Sequence, residues 1–379
     1  MAGLKILIAG GGTGGHIIPA LAVARELELR HGAEALFVGT ARGMEIRLVP
    51  EAGFRLRLID VGPLNRVSLI TRIKTLLSLP KSIFECRRLI REFQPNVVFG
   101  VGGYASGPAM AAALHLKIPT MAFEPNAMPG LTNRLVGKRV QAAAVNFPAA
   151  SAWFKNCEVT GIPVRPAFFN LEPPLHIDPP HLLIFGGSLG ARLFNTRVPR
   201  VITQLLNAVP GLTVLHQSGV RHAAETEEAY RASGANPNRW KVRPFLNDMP
   251  AQFGKAHLVM ARSGASTVAE LAAAGKPALL VPFAAAADQH QRRNAEAMVR
   301  AGAAMMLQEH ELDVPGKLVD ALWGLLTAPQ KLARMSAAAR TQAHPEAAAR
   351  IADLLASLAL RPVMHRSGKS RDVLHRAGA

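Results

Sequence analysis

The sequence predicts an α/β protein of two domains, each a doubly wound parallel sheet, facing each other across a cleft. Three observations predict it. Short, continuous apolar runs alternate with helical patterns, as expected of parallel strands covered on both faces. The alternation stops in a proline-rich stretch midway along the 379 residues and then restarts. Each half also opens with a run that ends in a glycine-rich turn, Gly10-Gly11-Gly12-Thr13-Gly14-Gly15-His16 and Gly186-Gly187-Ser188-Leu189-Gly190-Ala191. Such a turn, between a strand and a helix, aims backbone N–H groups and the positive end of a helix dipole at one spot, which suits a phosphate. Two of them imply two phosphate-handling domains.

In the first half, residues 6–9, 35–39, 97–100, 120–123 and 142–145 are the expected strands. A helix between the first two carries Ile17, Leu21, Ala24 and Leu27 on one face. From about 156 to 181 the chain holds Pro163, Pro166, Pro173, Pro174, Pro179 and Pro180, a density that marks a link between domains. The expected domains are therefore 1–160 and 161–345. In the second, residues 182–185, 213–216, 241–243, 258–260 and 278–281 read as strands. A helix opening near Gly264 stops at Gly275, before Lys276-Pro277. The alanine-rich stretch beyond is helical and closes with a helix over 346–360. Residues 361–379 carry Arg361, Arg366, Lys369, Arg371 and Arg376 against Asp372, and read as a disordered basic tail.

The net charge of +18 invites an anionic partner. Aromatic residues are only 5% and no nucleic-acid module is recognisable, which argues against nucleic acid. No apolar run approaches the roughly 18–20 residues that span a bilayer, and the opening residues do not read as a signal peptide. Cys86 and Cys157 are too few for a disulfide framework and are expected to be buried thiols in a reducing cytoplasm. There is no Asp-x-Asp pair and no Cys/His cluster with zinc spacing, so neither metal nor other cofactor is expected. Any leaving-group charge then falls to helix dipoles, amides and arginines. Segment 64–81 places Val67, Ile70, Ile73 and Leu77 at helical spacing among Arg66, Arg72 and Lys74. That pattern suits a helix in a membrane interface, and equally a core-packed helix with basic edges.

Gly10, Gly12 and Gly15 fit a dinucleotide fingerprint, but the acid it wants at the end of the second strand is replaced by Gly39-Thr40, which argues against NAD. His16 stands where its imidazole can face whatever the turn holds, as a general base or as a plain helix-start residue. A third glycine cluster, Gly100 to Pro108, either cradles an anion or makes a tight turn. Glu124-Pro125-Asn126 follows a strand end, where open sheets bind ligands, although loop polarity accounts for it too. Arg262 to Glu270 opens a helix whose free amides suit a diphosphate, with Glu270 available to a ribose. Thr267 and Glu270 also have capping-box spacing. Asp288 to Asn294 offers amides for sugar hydroxyls, or a solvated helix start.

Together these pieces resemble the MurG family, from Leu4 to about Leu360. The resemblance rests on Gly10–His16 with Pro19, Gly102-Gly103-Tyr104 with Ser106-Gly107-Pro108, Gly130-Leu131-Thr132-Asn133, Gly161 to Arg165, Gly186–Ala191 and Arg262–Glu270, in this order. It implies a GT-B fold of two Rossmann-like domains and an inverting, metal-independent hexosyltransferase. Such an enzyme moves N-acetylglucosamine from UDP-GlcNAc to the MurNAc 4-hydroxyl of undecaprenyl-pyrophosphoryl-MurNAc-pentapeptide, called lipid I, giving lipid II for peptidoglycan. The family's place is the cytoplasmic face of the bacterial plasma membrane, on an anionic phospholipid surface and alongside other cell-wall synthesis proteins.

Carried over residue by residue, Arg165 and Ser188 contact the UDP diphosphate and Leu246 presents backbone to the uracil. Ala265, Ser266, Thr267, Val268 and Ala269 lie under the phosphates, Glu270 meets the ribose and Gln291 reads the sugar. Thr13, Gly14, Gly15 and Asn126 complete the donor site, and Gly12, Gly102, Gly103 and Tyr104 hold the lipid diphosphate. His16 is the base, and Glu124 joins it as a catalytic candidate. Two departures stand out: Pro125 replaces the family's frequent Gln, and the loop before Gln291 is Ala284-Ala285-Ala286-Ala287 where relatives are more polar, which leaves Gln289, His290 and Gln291 as rivals for the sugar. A diacylglycerol glycosyltransferase and a nucleotide-sugar-binding protein without transferase activity are the alternatives.

Overall fold

The computed structural model describes residues 3–62, 69–172 and 179–360, apart from the side chains of 69–74, 76 and 287. The first sheet comprises β1 (Lys5–Gly10), β2 (Glu34–Gly39), β3 (Arg55–Leu58), β4 (Val97–Gly102), β5 (Thr120–Glu124), β6 (Ala142–Val145) and β7 (Cys157–Val159). Its helices are α1 (Gly14–His31), α2 (Glu45–Glu51), α3 (Leu69–Phe93), α4 (Ser106–His115) and α5 (Leu131–Val136). The second sheet comprises β8 (His181–Phe185), β9 (Thr213–Gln217), β10 (Trp240–Arg243), β11 (Leu258–Ala261), β12 (Ala278–Leu280) and β13 (Ala304–Met306). With it go α6 (Arg192–Ala208), α7 (Ala223–Ala232), α8 (Met249–Lys255), α9 (Ala265–Ala274), α10 (His290–Arg300), α11 (Lys317–Leu326) and α12 (Pro329–Arg340), before the last helix, α13 (Ala347–Ala359).

The strand orders are β3-β2-β1-β4-β5-β6-β7 and β10-β9-β8-β11-β12-β13, and the pairings within both sheets are parallel. Strand order therefore reverses between β1 and β4 and again between β8 and β11. Ligands of open α/β sheets bind beyond the carboxyl ends of strands at such reversals. The turns after β1, β4, β8 and β11 are the four glycine-bearing segments singled out from the sequence.

The inner strands β1, β4, β8 and β11 are apolar along most of their length because both faces are covered. Ile6 and Ile8 pack with Ile17, Ala20 and Leu27 of α1, while Leu7 and Ala9 face Ile90 of α3 and Met110 of α4. In the second sheet Leu182 and Ile184 meet Phe194, Val198 and Ile202 of α6, and Leu183 and Phe185 meet Phe253 and Leu271.

All ten expected strands form, with ends shifted by at most two residues, and Gly275 closes α9 in the left-handed conformation at φ 60°. Three strands have no counterpart in the sequence reading: β3, β7 and β13. All three lie at sheet edges, where one neighbour suffices and the apolar run is short; β3 reads Arg-Leu-Arg-Leu. Strand β7 also interrupts the proline-rich link, and its Cys157 is exposed, correcting the expectation of two buried thiols; Cys86 is buried. The final helix leaves the second sheet and packs on α1 through Ile351 and Leu355. Arg30 and His31 hold Asp353 at 2.9 Å each, and Arg350 reaches Glu158 at 2.8 Å. The tail 361–379 and the first part of segment 64–81, Arg66 included, lie outside the described residues.

Candidate active site

The turn after β1 is folded around a carboxylate. Glu45, on α2, is fully buried. Its Oε2 accepts from the Gly12 amide at 2.8 Å, and its Oε1 from the Thr40 amide at 2.9 Å and hydroxyl at 3.1 Å. A Cβ on Gly11, Gly39 or Gly43 would fall within 2.5 Å of that side chain, so three glycines make room for one acid. The acid missing from the end of β2 is thus supplied six residues on, and it binds the protein's own turn. This corrects one expectation: the Gly12 amide already has an anion and is not free for a lipid diphosphate.

The neighbouring amides are free. Those of Thr13, Gly14 and Gly15 donate to no acceptor among the described residues, as expected of a helix start without a side-chain cap. The turn after β4 lies against the first: Gly11 N–H donates to Gly102 O at 3.3 Å, and a Cβ on Gly103 would sit 2.3 Å from Gly11 O. Gly102 and Gly103 have φ of 89° and 79°, so only glycine gives this backbone at low cost. Tyr104 beside them is exposed.

His16 lies between these turns. Its Nδ1 lies 3.3 Å from Gly11 O and 3.4 Å from Thr13 Oγ1; a carbonyl only accepts, so the tautomer with the proton on Nδ1 satisfies this contact and keeps the Nε2 lone pair free. Nε2 and Cδ2 border Gly102, where a Cβ would come within 3.1 Å. Burial pushes the imidazole below its usual 6.5; the Gly11 hydrogen bond opposes this, His290 adds to it, and Glu45 opposes it. At neutral pH the ring is therefore an uncharged base.

Glu124 faces inward. Oε1 accepts from the Asn126 amide at 2.9 Å and side chain at 3.2 Å, and Oε2 from Gly130 N and Asn133 Nδ2, each at 3.0 Å. Burial raises its pKa and those four donors oppose the rise. With its lone pairs engaged on the 124–133 loop, Glu124 shapes that loop rather than reaching into the cleft.

In the second domain α9 starts at Gly264 with no side-chain cap, so the Thr267–Glu270 spacing is not a capping box. The amides of Ala265, Ser266 and Thr267 have no acceptor among the described residues. A Cβ on Gly15 would lie 3.6 Å from Ser266 Oγ, so the N-termini of α1 and α9 meet across the cleft. Val268 is buried, and Ala265 and Ala269 pack against the core of the first domain. Glu270 forms no hydrogen bond within the protein among the described residues; burial pushes its pKa up to about 7, opposed by Arg165. Arg165 is exposed, 5.1 Å from the Phe168 ring.

The 186–191 turn is held by Gly190 N–H to Gly187 O at 2.9 Å and by Gln217 Nε2 to the same carbonyl at 2.9 Å. Ser188 is exposed at its tip. Arg262 is spent on structure: it donates to Val281 O and Pro282 O and pairs with Glu309 at 2.6 Å. Gln291 has Oε1 engaged by Phe283 N–H at 3.0 Å, which leaves its Nε2 for a ligand. His290 is the residue whose charge reaches His16, and Gln289 is exposed in the left-handed region at φ 52°. Leu246 is buried on the rim of a cavity of about 700 Å³ along β9 and β10, a cavity that includes none of the glycine turns. Glu45 was not legible as a site residue, although the glycines around it hinted at one; Asn133 and Asn294 stood in segments singled out from the sequence, without the partners the fold gives them.

Two family models match: the glycosyltransferase family 28 N-terminal domain over residues 6–145 and the C-terminal domain over 181–351. A UDP-N-acetylglucosamine--N-acetylmuramyl-(pentapeptide) pyrophosphoryl-undecaprenol N-acetylglucosamine transferase from Anaeromyxobacter sp. (strain Fw109-5) is 43% identical, covering 97% of each chain. The enzyme of the same name from Solibacter usitatus is 45% identical over 94% of this chain and 96% of its own. The crystal structure of Acinetobacter baumannii MurG superimposes with a TM-score of 0.78 at 31% identity, over 93% of this chain and 99% of that one. With two parallel-sheet domains in GT-B arrangement and identity sustained along nearly its whole length, the chain belongs to the MurG family of glycosyltransferases.

Proposed function

We propose that this enzyme transfers N-acetylglucosamine from UDP-GlcNAc to the MurNAc 4-hydroxyl of lipid I, inverting the anomeric centre. One observation carries the reading of the site: two helix starts with unpaired amides, on α1 and α9, converge within contact distance beside the His16 imidazole. Unpaired amides at helix starts favour anionic oxygens. The α9 amides, Ser188 and Arg165 take the UDP diphosphate, Glu270 accepts from the ribose, and Leu246 backbone meets the uracil. Gln291 Nε2 and Asn126 address the sugar, with Thr13, Gly14 and Gly15 completing the donor site. Gly103 and Tyr104 hold the lipid diphosphate. As the acceptor oxygen bonds to the anomeric carbon, the bond to the UDP oxygen breaks on the opposite face and the hydroxyl proton passes to His16 Nε2. UDP departs as an anion stabilised by amides and dipole.

The decisive assay is labelled UDP-GlcNAc with a lipid I analogue, with UDP-GalNAc as donor control and diacylglycerol as acceptor control. Disaccharide-lipid from the first pair alone is expected; glycosylated diacylglycerol, or donor binding without transfer, would replace this reading with one of the two alternatives.

The two titrating groups give separable pH effects. Glu270 accepts ribose hydroxyls as a carboxylate, so the donor KM rises as pH falls through about 7. The His16 pKa lies below 6.5, so kcat falls only at lower pH. For Glu270 the folded pKa exceeds the unfolded 4.5, so its stabilising share is present below 4.5 and lost as pH rises through about 7. Glu270→Gln is therefore expected to raise Tm at pH 8 while weakening UDP binding, by calorimetry and titration of the same sample.

No helix among the described residues is long and apolar enough to cross a membrane. Leu77, Lys81, Phe84 and Arg88 instead form an exposed stripe along α3, with Leu77 76% and Phe84 65% exposed. This stripe lies on an anionic phospholipid surface at the cytoplasmic face of the plasma membrane, within reach of a lipid-anchored acceptor. Leu77→Asp with Phe84→Asp is expected to weaken binding to phosphatidylglycerol vesicles by more than about tenfold, given roughly 1.5–3 kcal/mol per buried large apolar side chain, with UDP affinity unchanged.

A further inference from the structure

The two domains are joined through a side chain that no step above uses. Asn294, on α10, is fully buried. Its Oδ1 accepts from Ala127 N–H at 2.9 Å, and its Nδ2 donates to Asn126 Oδ1 at 3.2 Å and Ser263 O at 3.1 Å. An amide N–H only donates and a carbonyl only accepts, so a single orientation of the Asn294 amide satisfies all three. That orientation turns Asn126 Oδ1 toward Asn294 and Asn126 Nδ2 toward Glu124, 3.2 Å away. On the donor side Ser263 Oγ donates to Gln291 O at 2.8 Å. One chain of hydrogen bonds thus runs Glu124–Asn126–Asn294–Ser263–Gln291, from the first domain into the second.

A second bridge stands beside it. Arg134, on α5, donates to Asp288 at 2.7 Å, with its guanidinium 5.9 Å from the Trp153 ring. Asp288 and its neighbour Gln289 have φ of 49° and 52°, a region that non-glycine residues rarely adopt and keep where surrounding contacts hold them. Both bridges end in the segment that carries Gln291.

We propose that Asn294 is a positioning residue that sets the register between the acceptor-side 124–133 loop and the donor-side 283–291 segment, with Arg134–Asp288 as the latch that holds this register. The proposal rests on the cleft being the transfer site. Asn294 touches no reacting atom in it; it acts through Asn126 and Gln291. Its bonds to Asn126 and Ala127 exist only when the domains are apposed, so they stabilise this apposed arrangement against a more open one.

Asn294→Asp tests this with almost no change of volume. A carboxylate still accepts from Ala127 but confronts Asn126 Oδ1 and Ser263 O, acceptor against acceptor. In the full-length enzyme the expected result is a loss of about ten- to a hundredfold in kcat, as for one misaligned buried hydrogen bond. Binding of UDP alone, which lacks the sugar, stays near that of the unaltered enzyme. Spin labels placed one on each domain should report a wider, more open distance distribution. Arg134→Glu and Asp288→Arg should each cost about two- to fivefold, as exposed pairs do, with activity restored in the double charge swap. Unchanged kcat in Asn294→Asp, or a kcat loss with the interdomain distances unmoved, overturns the proposal. If the unaltered enzyme binds UDP but makes no product from lipid I, the functional reading fails instead, and the spin-label distances still judge the latch.

Discussion

His16→Ala is expected to lower kcat for transfer to lipid I by about 10²–10⁴-fold, the usual contribution of a positioned general base, with UDP affinity unchanged. The imidazole is oriented from one side, by Nδ1 against Gly11 O, so Nε2 is the nitrogen that meets a proton. Its pKa is below 6.5 for a physical reason, burial between two backbone turns. The ring is uncharged at neutral pH and needs no proton removed before it acts. Replacing it deletes the base while leaving the free amides of α1 and α9 in place. Steady-state kinetics with a lipid I analogue, alongside calorimetric titration with UDP, separates the two effects. Near-normal turnover would take His16 out of the mechanism; a parallel loss of UDP affinity would make it a structural residue of the turn.

Glu45→Ala is expected to give the largest loss of stability among single changes near the cleft, about 3–5 kcal/mol. The side chain is fully buried and satisfies two backbone amides and the Thr40 hydroxyl. Each donor left unpaired costs about 1–3 kcal/mol, and the three glycines packed against the carboxylate leave a void that the backbone cannot easily fill. For a domain of this size the shift in Tm is roughly 10 °C. The turn that aims Thr13, Gly14 and Gly15 would lose its bracket, so activity should fall even well below the new Tm. Glu45→Gln discriminates further: one amide oxygen still accepts, while the NH2 group faces an N–H, so an intermediate loss is expected. A melting temperature within 2 °C or so of the unaltered enzyme for Glu45→Ala would mean the turn holds itself.

The two sheets and the positions of the four glycine turns were legible because they are local. A strand covered on both faces is apolar along most of its length, and the turns after β1, β4 and β8 hold glycines at positive φ, a conformation other residues rarely adopt. The edge strands β3, β7 and β13 were not, because a strand with one neighbour need not be continuous or apolar. The roles of acids and amides were the least legible. Glu124 and Glu45 look alike as letters; the fold turns both inward onto loop amides, and it leaves Glu270 without a hydrogen bond among the described residues.

By itself the sequence determined the repeated α/β pattern, the places where backbone amides turn outward and the family the chain resembles, since each is written in contiguous residues. Tertiary structure alone decided which amides stay free: Gly12 lost its vacancy to an acid 33 residues on, while Gly15 and Ser266 came into contact from opposite domains. It also decided that α13 crosses back to α1 and that Asn294 spans the cleft. An amphipathic stripe states that a helix is buried and an amide states that it needs partners, but neither names the surface or the partner, because those lie far away in the chain.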